Sequence, residues 1–418
     1  MAPIFIIVCA LLIGAKWGAQ MVLEWVNRQH VKAHSSAVPV AFAGIITPEN
    51  YAKAVNYTLA KSRFEMVQLT WSSLVLAVAL FSGVLPAIYR SFHGESASIW
   101  IGGAFLLSVG LLLSIFDLPF DWYSQFCLEE RFGFNTTTLS TWIADRLKGV
   151  VLACALGYPL IVLILKLAAW LGSSWWFWAW VCMIVFQLVL MVVAPVLIMP
   201  LFNKFTALPD GALRDALFAL GEKAGFRARD IQVMDGSKRS RHSNAFFTGL
   251  GKFRKIVLFD TLVEQLEQDE LESVLAHEIG HFKKGHIPKM MALSFLGTLP
   301  FFYLAAVLAK SPWFLNGFGF PTGGIAPALL LISLLAGLVT FWLSPIFHIL
   351  SRRHEYEADA FAAHLLKRHQ PLITALRKLN EKNLSNLTPH PFYSGFYYSH
   401  PTFLEREAAL AAGQTRLN

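Results

Sequence analysis

Leu271-Glu272-Ser273-Val274-Leu275-Ala276-His277-Glu278-Ile279-Gly280-His281-Phe282-Lys283-Lys284 is a polar, helix-patterned stretch in a chain built mostly of long apolar runs. Four residues advance a helix by about 400°, so His277 and His281 leave one face a turn apart and can reach a single ion. Glu278, beside the first histidine, can hold a water on that ion, which is the chemistry of the zinc-hydrolase pattern HExxH. Leu271, Val274 and Leu275 supply the apolar stripe of such a helix, and Asp269 followed by Glu272 reads as a capping box at its start. A third ligand from the same segment would need Gly at 284 and His at 287, but the chain has Lys284 and Ile287, with Gly285 and His286 out of register. On a continuous helix His286 stands about 140° around from His281, so it reads as structural. The third ligand is expected from another element.

Arg353-His354-Glu355-Tyr356-Glu357-Ala358-Asp359-Ala360 follows the last apolar run and meets that need. Glu355 and Asp359 are i and i+4 and share a face. A Glu355 oxygen would complete a His-His-Glu set holding one Zn2+ per chain, with the fourth position left to water. Asp359 then suits the outer N–H of a ligand histidine. Glu357 points about 200° away from Glu355 and is the weaker ligand candidate. His242 and His354 have no independent claim.

Composition sets the surrounding architecture. Hydrophobic residues make up 55% and charged residues 15% of the 418, with a mean hydropathy of +0.51, values of a membrane protein. Apolar runs long enough to cross a bilayer lie near 3–25, 67–89, 97–116, 150–171, 175–199, 289–310 and 326–350. The fold class is therefore mainly α: about seven transmembrane helices with a small α+β zinc-peptidase domain. Residues 1–199 form an N-terminal membrane region of about five spans, 200–288 an α+β segment carrying HExxH, 289–350 two further spans, and 351–418 a C-terminal segment that completes the site. Lys16 and Lys166 fall inside runs and are expected to line an aqueous interior or lean toward an interface. The first run lacks a basic leader and reads as an uncleaved span. Cys9, Cys127, Cys154 and Cys182 show no CxxC spacing and read as packing residues.

With seven spans, residues 26–66, 117–149, 200–288 and 351–418 share one side and hold 30 of the 35 Lys and Arg residues. By the positive-inside rule that side is cytoplasmic, and the N-terminus faces out. The net charge of +8 is then accounted for by a face that meets anionic lipid, and no nucleic-acid partner is called for. The expected partners are the bilayer and a peptide or protein substrate. Within 200–288, Asp210 reads as the cap of a helix bearing Leu213, Leu217 and Leu220, and Phe226 to Val233 as a turn into a short strand. Residues 244–248 and 255–259 read as two strands joined through Gly249, Gly251 and Lys252. A strand beside a zinc helix can receive an extended peptide by main-chain pairing.

Together these residues resemble the type I CAAX prenyl proteases, integral-membrane zinc metallopeptidases that share HExxH and a downstream ExxxD. Ser237 to Phe247 is similar to the family's segment ahead of the catalytic helix, and Ile256 to Leu262 to its continuation. Glu129-Glu130-Arg131-Phe132-Gly133-Phe134-Asn135 and Pro200-Leu201-Phe202-Asn203-Lys204-Phe205 resemble two further signatures, and Tyr398-Ser399-His400-Pro401 with Arg406 the C-terminal block. These matches run from about residue 117 to 410, whereas the first hundred residues match chiefly in hydrophobic layout. The resemblance implies a substrate-binding edge strand at Asn244 and Ala245, and His400 with Arg406 as donors to the oxyanion. It also implies cleavage of prenylated or otherwise lipid-anchored polypeptides. Quality-control cleavage of membrane-associated chains uses the same zinc chemistry and is the alternative, while a transporter with a vestigial metal site would have no use for Glu278. The C-terminal Gln414 to Asn418 carries neither a lipidation motif nor an ER-retrieval signal, and a bacterial inner membrane is expected ahead of an endoplasmic reticulum membrane.

Overall fold

Among the described residues, six helices are long and apolar enough to cross a bilayer, namely Ala2–Ala33, Pro48–Phe81, Leu139–Trp170, Gly172–Phe202, His286–Ala309 and Ile325–Leu366. The pair Ile99–Ile115 and Leu118–Phe132, bent by 41°, is either a broken seventh span or a re-entrant loop. The protein is described by a computed structural model covering residues 2–93, 98–226, 230–248, 255–321 and 324–414. The second span departs from the apolar run expected at 67–89. It starts at Pro48, where the Thr47 side chain accepts from the Asn50 N–H, and stops at Phe81. Gly83 then turns the chain in the left-handed region (φ 79°) into a separate helix, Val84–His93. Hydropathy locates apolar residues; it is blind to a polar helical extension and to a two-residue break within an apolar run.

The last span runs on without interruption for 42 residues, about 63 Å at 1.5 Å per residue. One continuous helix thus carries Glu355 and Asp359 from the membrane layer to the polar domain. Lys16 and Lys166 rest on aromatic faces, with the Lys16 ammonium 5.8 Å from the Phe341 centroid and the Lys166 ammonium 4.6 Å from that of Trp100. Cation–π contact is how these two charges are accommodated.

The sheet is mixed and four-stranded. Its strands are β1 (Phe205–Ala207), β2 (Asp230–Met234), β3 (Ala245–Thr248) and β4 (Lys255–Phe259), in the order β1-β2-β4-β3. β2 and β4 are parallel, with Ile231 opposite Ile256, and β3 is antiparallel to β4, with Ala245 opposite Leu258. β1 was not expected from the sequence, because three residues are too short a run for alternation to register. The expected turn through Gly249, Gly251 and Lys252 lies outside the described residues. The helix expected after Asp210 is present as Ala212–Lys223, but its N-cap is Gly211, and the Asp210 carboxylate pairs with Arg214 instead.

Two main cores follow. One lies among the spans, around Phe105, Phe302, Phe314 and Leu331. The other joins Leu217, Ile231, Ile256 and Leu258 to Leu275, Ile279, Ala362 and Leu372, and also takes in Val31, Phe42 and Tyr51. The polar segment 200–288 therefore does not close its own core; helices from both ends of the chain complete it. The tightest contact lies between helix Gln268–Lys283 and the last span, at Gly280. A Cβ there would stand 3.0 Å from Ala358 Cα and 3.1 Å from its carbonyl oxygen. Backbone cannot give way as a side-chain tip can, so Gly280→Ala is expected to cost about 1–3 kcal/mol and to lower the thermal midpoint. Gly280→Val should force the helices apart and lose stoichiometric metal; wild-type metal content and stability in Gly280→Val would show that the contact is dispensable.

Candidate active site

The helix bearing His277 and His281 spans Gln268–Lys283, and its capping box is Glu267 with Glu270, not the expected Asp269 with Glu272. Glu270 accepts from the Glu267 N–H at 2.8 Å and is itself held by the Lys378 ammonium at 2.8 Å. The buried position of Glu270 decides the register, since only a carboxylate with a cation partner is stable there, whereas Asp269 is half exposed beside Arg368. With the start fixed, Leu271, Leu275 and Ile279 face the core, and the two histidines face the last span.

His277 Nε2 and His281 Nε2 lie 3.1 Å apart. Glu355 Oε2 is 3.4 Å from the former, and Glu355 Oε1 is 3.2 Å from the latter. These are close to the ligand–ligand spacing of a tetrahedral ion with bonds near 2.0 Å, about 3.3 Å. Glu355 is 4% exposed, and its Oε2 is buried without a hydrogen-bond partner. Two imidazole nitrogens nose to nose beside an orphaned carboxylate oxygen are the donor set of a cation site, and the three residues form such a group among the described residues. The residues present therefore fit a metal ion.

Asp359 lies directly behind His277, accepting from Nδ1 at 2.8 Å. Arg406 grips that carboxylate twice, from Nε to Oδ2 at 2.8 Å and from Nη2 to Oδ1 at 2.6 Å. Arg406 is 8% exposed, and its remaining Nη1 lies 3.7 Å from Glu355 Oε2, so its first duty is to hold the ligand layer. Burial alone would lower the proton affinity of His277, but the bonds to Asp359 and Glu355 outweigh it and the group is pushed up to about 9. Burial pushes the Glu278 carboxyl above the ordinary glutamate range, against the opposing influence of His277 and His281. His400 approaches from the other side, with Nε2 3.4 Å from Glu355 Oε1 and 63% of its side chain exposed. It borders a cavity of about 580 Å³ whose wall also includes His242, Asn386, Tyr398 and Arg406. Burial lowers the His400 proton affinity.

Asn244 and Ala245 stand at the entry to β3, the edge strand of the sheet. The Asn244 carbonyl accepts from the Phe259 N–H at 3.0 Å, and its Oδ1 accepts from the Ala245 N–H at 2.8 Å. Three signatures, at 129–135, 200–205 and 237–247, meet just upstream of this strand. Arg239 binds Asp145 through Nε (2.8 Å) and Nη2 (3.0 Å), the Phe202 carbonyl at 2.6 Å and Asn203 Oδ1 at 2.9 Å. Asn135 bridges Ser240, and Glu129 lies 3.2 Å from His242 Nε2 while accepting from Tyr57 at 2.6 Å. Asp145 and Tyr57 escaped the sequence reading, and Arg239 was marked only within its segment and given no role, because a lone ion pair between distant segments leaves no periodic trace. His286 is also not where a continuous helix would put it. Gly285 (φ 65°) breaks the helix and starts the next one at His286, whose Nδ1 lies 3.0 Å from His281 Nδ1.

A His-His-Glu set with His277 and Glu355 buried and a neighbouring glutamate, mounted where a membrane-spanning helix emerges, defines a membrane-embedded metallopeptidase. Comparison with known proteins agrees. Residues 27–204 match the model "CAAX prenyl protease N-terminal, five membrane helices", and residues 207–413 match "Peptidase family M48". CAAX prenyl protease 1 of Saccharomyces cerevisiae is 38% identical, with 92% of this chain and 90% of that protein covered. The human CAAX prenyl protease 1 homolog is 30% identical, with 94% and 95% covered. The crystal structure of S. mikatae Ste24p superposes with a TM-score of 0.90 at 35% identity, covering 97% of this chain and 98% of that one. The chain belongs to peptidase family M48, on the branch with the CAAX prenyl protease N-terminal region. The expectation of a bacterial inner membrane is corrected by these findings: the similar proteins are eukaryotic, from yeast, rice and human. The multi-pass membrane assignment stands.

Glu355→Ala is expected to purify without stoichiometric metal, whereas Glu357→Ala should fill at saturating metal, as read by elemental analysis. Glu278→Gln should keep its metal and lose about 10²- to 10⁴-fold in peptide cleavage.

Proposed function

We propose that the protein is a zinc endopeptidase whose substrates are lipid-modified polypeptides, with prenylated CAAX-type C-termini as the substrate class. The observation that carries this reading is the His277–His281–Glu355 set with Glu278 beside it, in a chain whose relatives are called CAAX prenyl proteases. Two imidazoles and a carboxylate suit zinc, which when bound polarises the scissile carbonyl and acidifies water. The Glu278 carboxylate takes the proton of the attacking water and passes it to the leaving-amine nitrogen. Burial, by raising its proton affinity, suits it to hold that proton between the two transfers.

His400 Nε2–H donates to the carbonyl oxygen as charge develops there. Ser399 Oγ, 3.0 Å from His400 Nδ1, can donate to it and leave the ring proton on Nε2. Arg406 acts behind the ligand layer, fixing Asp359 by two hydrogen bonds and adding positive charge 3.7 Å from Glu355 Oε2. The substrate pairs by its main chain with the β3 edge at Asn244 and Ala245, where the Asn244 side-chain oxygen holds the Ala245 N–H until a peptide carbonyl replaces it. Main-chain pairing selects extended backbone and leaves choice of substrate to what anchors it in the membrane.

The test is cleavage of a farnesylated peptide and its unprenylated twin by detergent-purified wild type and Glu278→Gln. Zinc-dependent cleavage of the farnesylated peptide, at least about tenfold faster than its twin and lost in Glu278→Gln, is expected. Equal rates on both peptides would remove prenyl recognition, and an unimpaired Glu278→Gln would remove the proposed base.

A further inference from the structure

We infer that His286 and Glu357 form a second positioning relay for the metal centre, serving His281 as Asp359 serves His277. This rests on the metal-site reading above and extends it to residues with no role there. Both ligand histidines present Nε2 to the shared centre, so in the neutral imidazole that a metal requires each must carry its proton on Nδ1. His277 delivers that proton to a carboxylate, Asp359. His281 delivers it to another imidazole, the His286 Nδ1 at 3.0 Å.

Two Nδ1 atoms share a hydrogen bond only when one of them is bare. With His281 as donor, His286 must keep its own proton on Nε2, and that atom lies 3.2 Å from Glu357 Oε2. Glu357 Oε1 in turn accepts from Arg353 Nε at 3.2 Å. A single condition, Nε2 toward the metal, thus sets every tautomer along Arg353–Glu357–His286–His281 without leaving a donor facing a donor. The His354 ring, stacked on His286 at 4.1 Å and 10°, fixes the plane of the relay. His286 is 3% exposed, so an unsatisfied ring nitrogen there would be costly, and the relay satisfies both.

The relay reaches His281 only because Gly285 adopts φ 65° and turns the chain back between the two helices. It also ties the metal ligand to two membrane helices at once, since His286 opens the span His286–Ala309 and Glu357 rides on the extension of the last span. Orienting partners of this kind typically contribute 10- to 100-fold in metal affinity. The lost contribution should appear in the metal equilibrium itself, whatever happens to turnover.

The experiment is competition for Zn2+ between the full-length apoprotein in detergent and a chromogenic chelator, with the absorption spectrum of the Co2+-loaded protein as a second readout. His286→Phe keeps the ring volume but offers no acceptor. It is expected to weaken Zn2+ about 10- to 100-fold and to shift the Co2+ bands. His286→Asn places an amide oxygen near the Nδ1 position and should recover most of the affinity and the wild-type spectrum. Glu357→Ala, at a half-exposed position that tolerates truncation, should weaken Zn2+ by about tenfold while still filling at saturation. Wild-type affinity in both His286→Phe and Glu357→Ala overturns the relay, as does equal weakening in His286→Phe and His286→Asn, which would mark a packing effect. Glu355→Ala serves as the control: if it binds Zn2+ like wild type, the metal site itself is misassigned, a result distinct from failure of the relay alone.

Discussion

The approach of the helix Gln268–Lys283 to the last span, at Gly280 against Ala358, is the contact on which the site depends. Any side chain at 280 would meet backbone at 3.0 Å, and only at that separation can imidazoles from one helix and a carboxylate from the other point at a common centre. The histidine-bearing helix and the carboxylate-bearing turns are separated in sequence by the span His286–Ala309 and the earlier turns of Ile325–Leu366, so their proximity is a property of the whole bundle. The 42-residue last span makes the connection stiff, because a continuous helix transmits position where a loop would not. Metal geometry and membrane packing are in this sense one construction.

Charge arrangement around the ligands follows from burial. Glu355 and Asp359 are 4% and 2% exposed, and Arg406 is 8% exposed. An isolated carboxylate in such a place would cost several kcal/mol. Asp359 avoids that cost by bidentate pairing with Arg406 and by accepting from His277, whereas Glu355 Oε2 is left without a hydrogen-bond partner. The contrast separates a carboxylate whose bonds are met within the protein from one whose buried oxygen is left to face a cation. The same division of labour distinguishes Arg406, spent on Asp359, from His400, which faces the cavity.

Upstream of the edge strand, the segments around Glu129, Phe202 and Arg239 anchor the approach to β3 onto the spans. Arg239 draws on a carboxylate, an amide and a main-chain carbonyl from two membrane-proximal helical segments, so the approach to the β3 edge is held by the membrane region. The resemblance marked these segments one by one. That they converge on a single place is visible only once the chain is folded, since their separation along the sequence carries no signal of contact.

Periodicity and spacing were enough to place His277, His281 and Glu278 on one helix and Glu355 and Asp359 on another, because those relations are local and a helix turns through a known angle per residue. Hydropathy was enough for the membrane class and for six to seven candidate spans. Other features were not local. The true capping box at Glu267 and Glu270 depends on Lys378, more than a hundred residues away. Asp210 gave up its capping place to Gly211 and paired with Arg214. His286 looked remote from His281 because the helix was assumed to continue, whereas a left-handed Gly285 brings it back. The sequence by itself thus determined the chemistry of the site and the membrane layout, since both are written in residue type and spacing. Only the tertiary structure decided where the capping box falls, what holds the edge strand, and which histidine stands behind His281, because those depend on the distance between helices that the chain brings together from far apart.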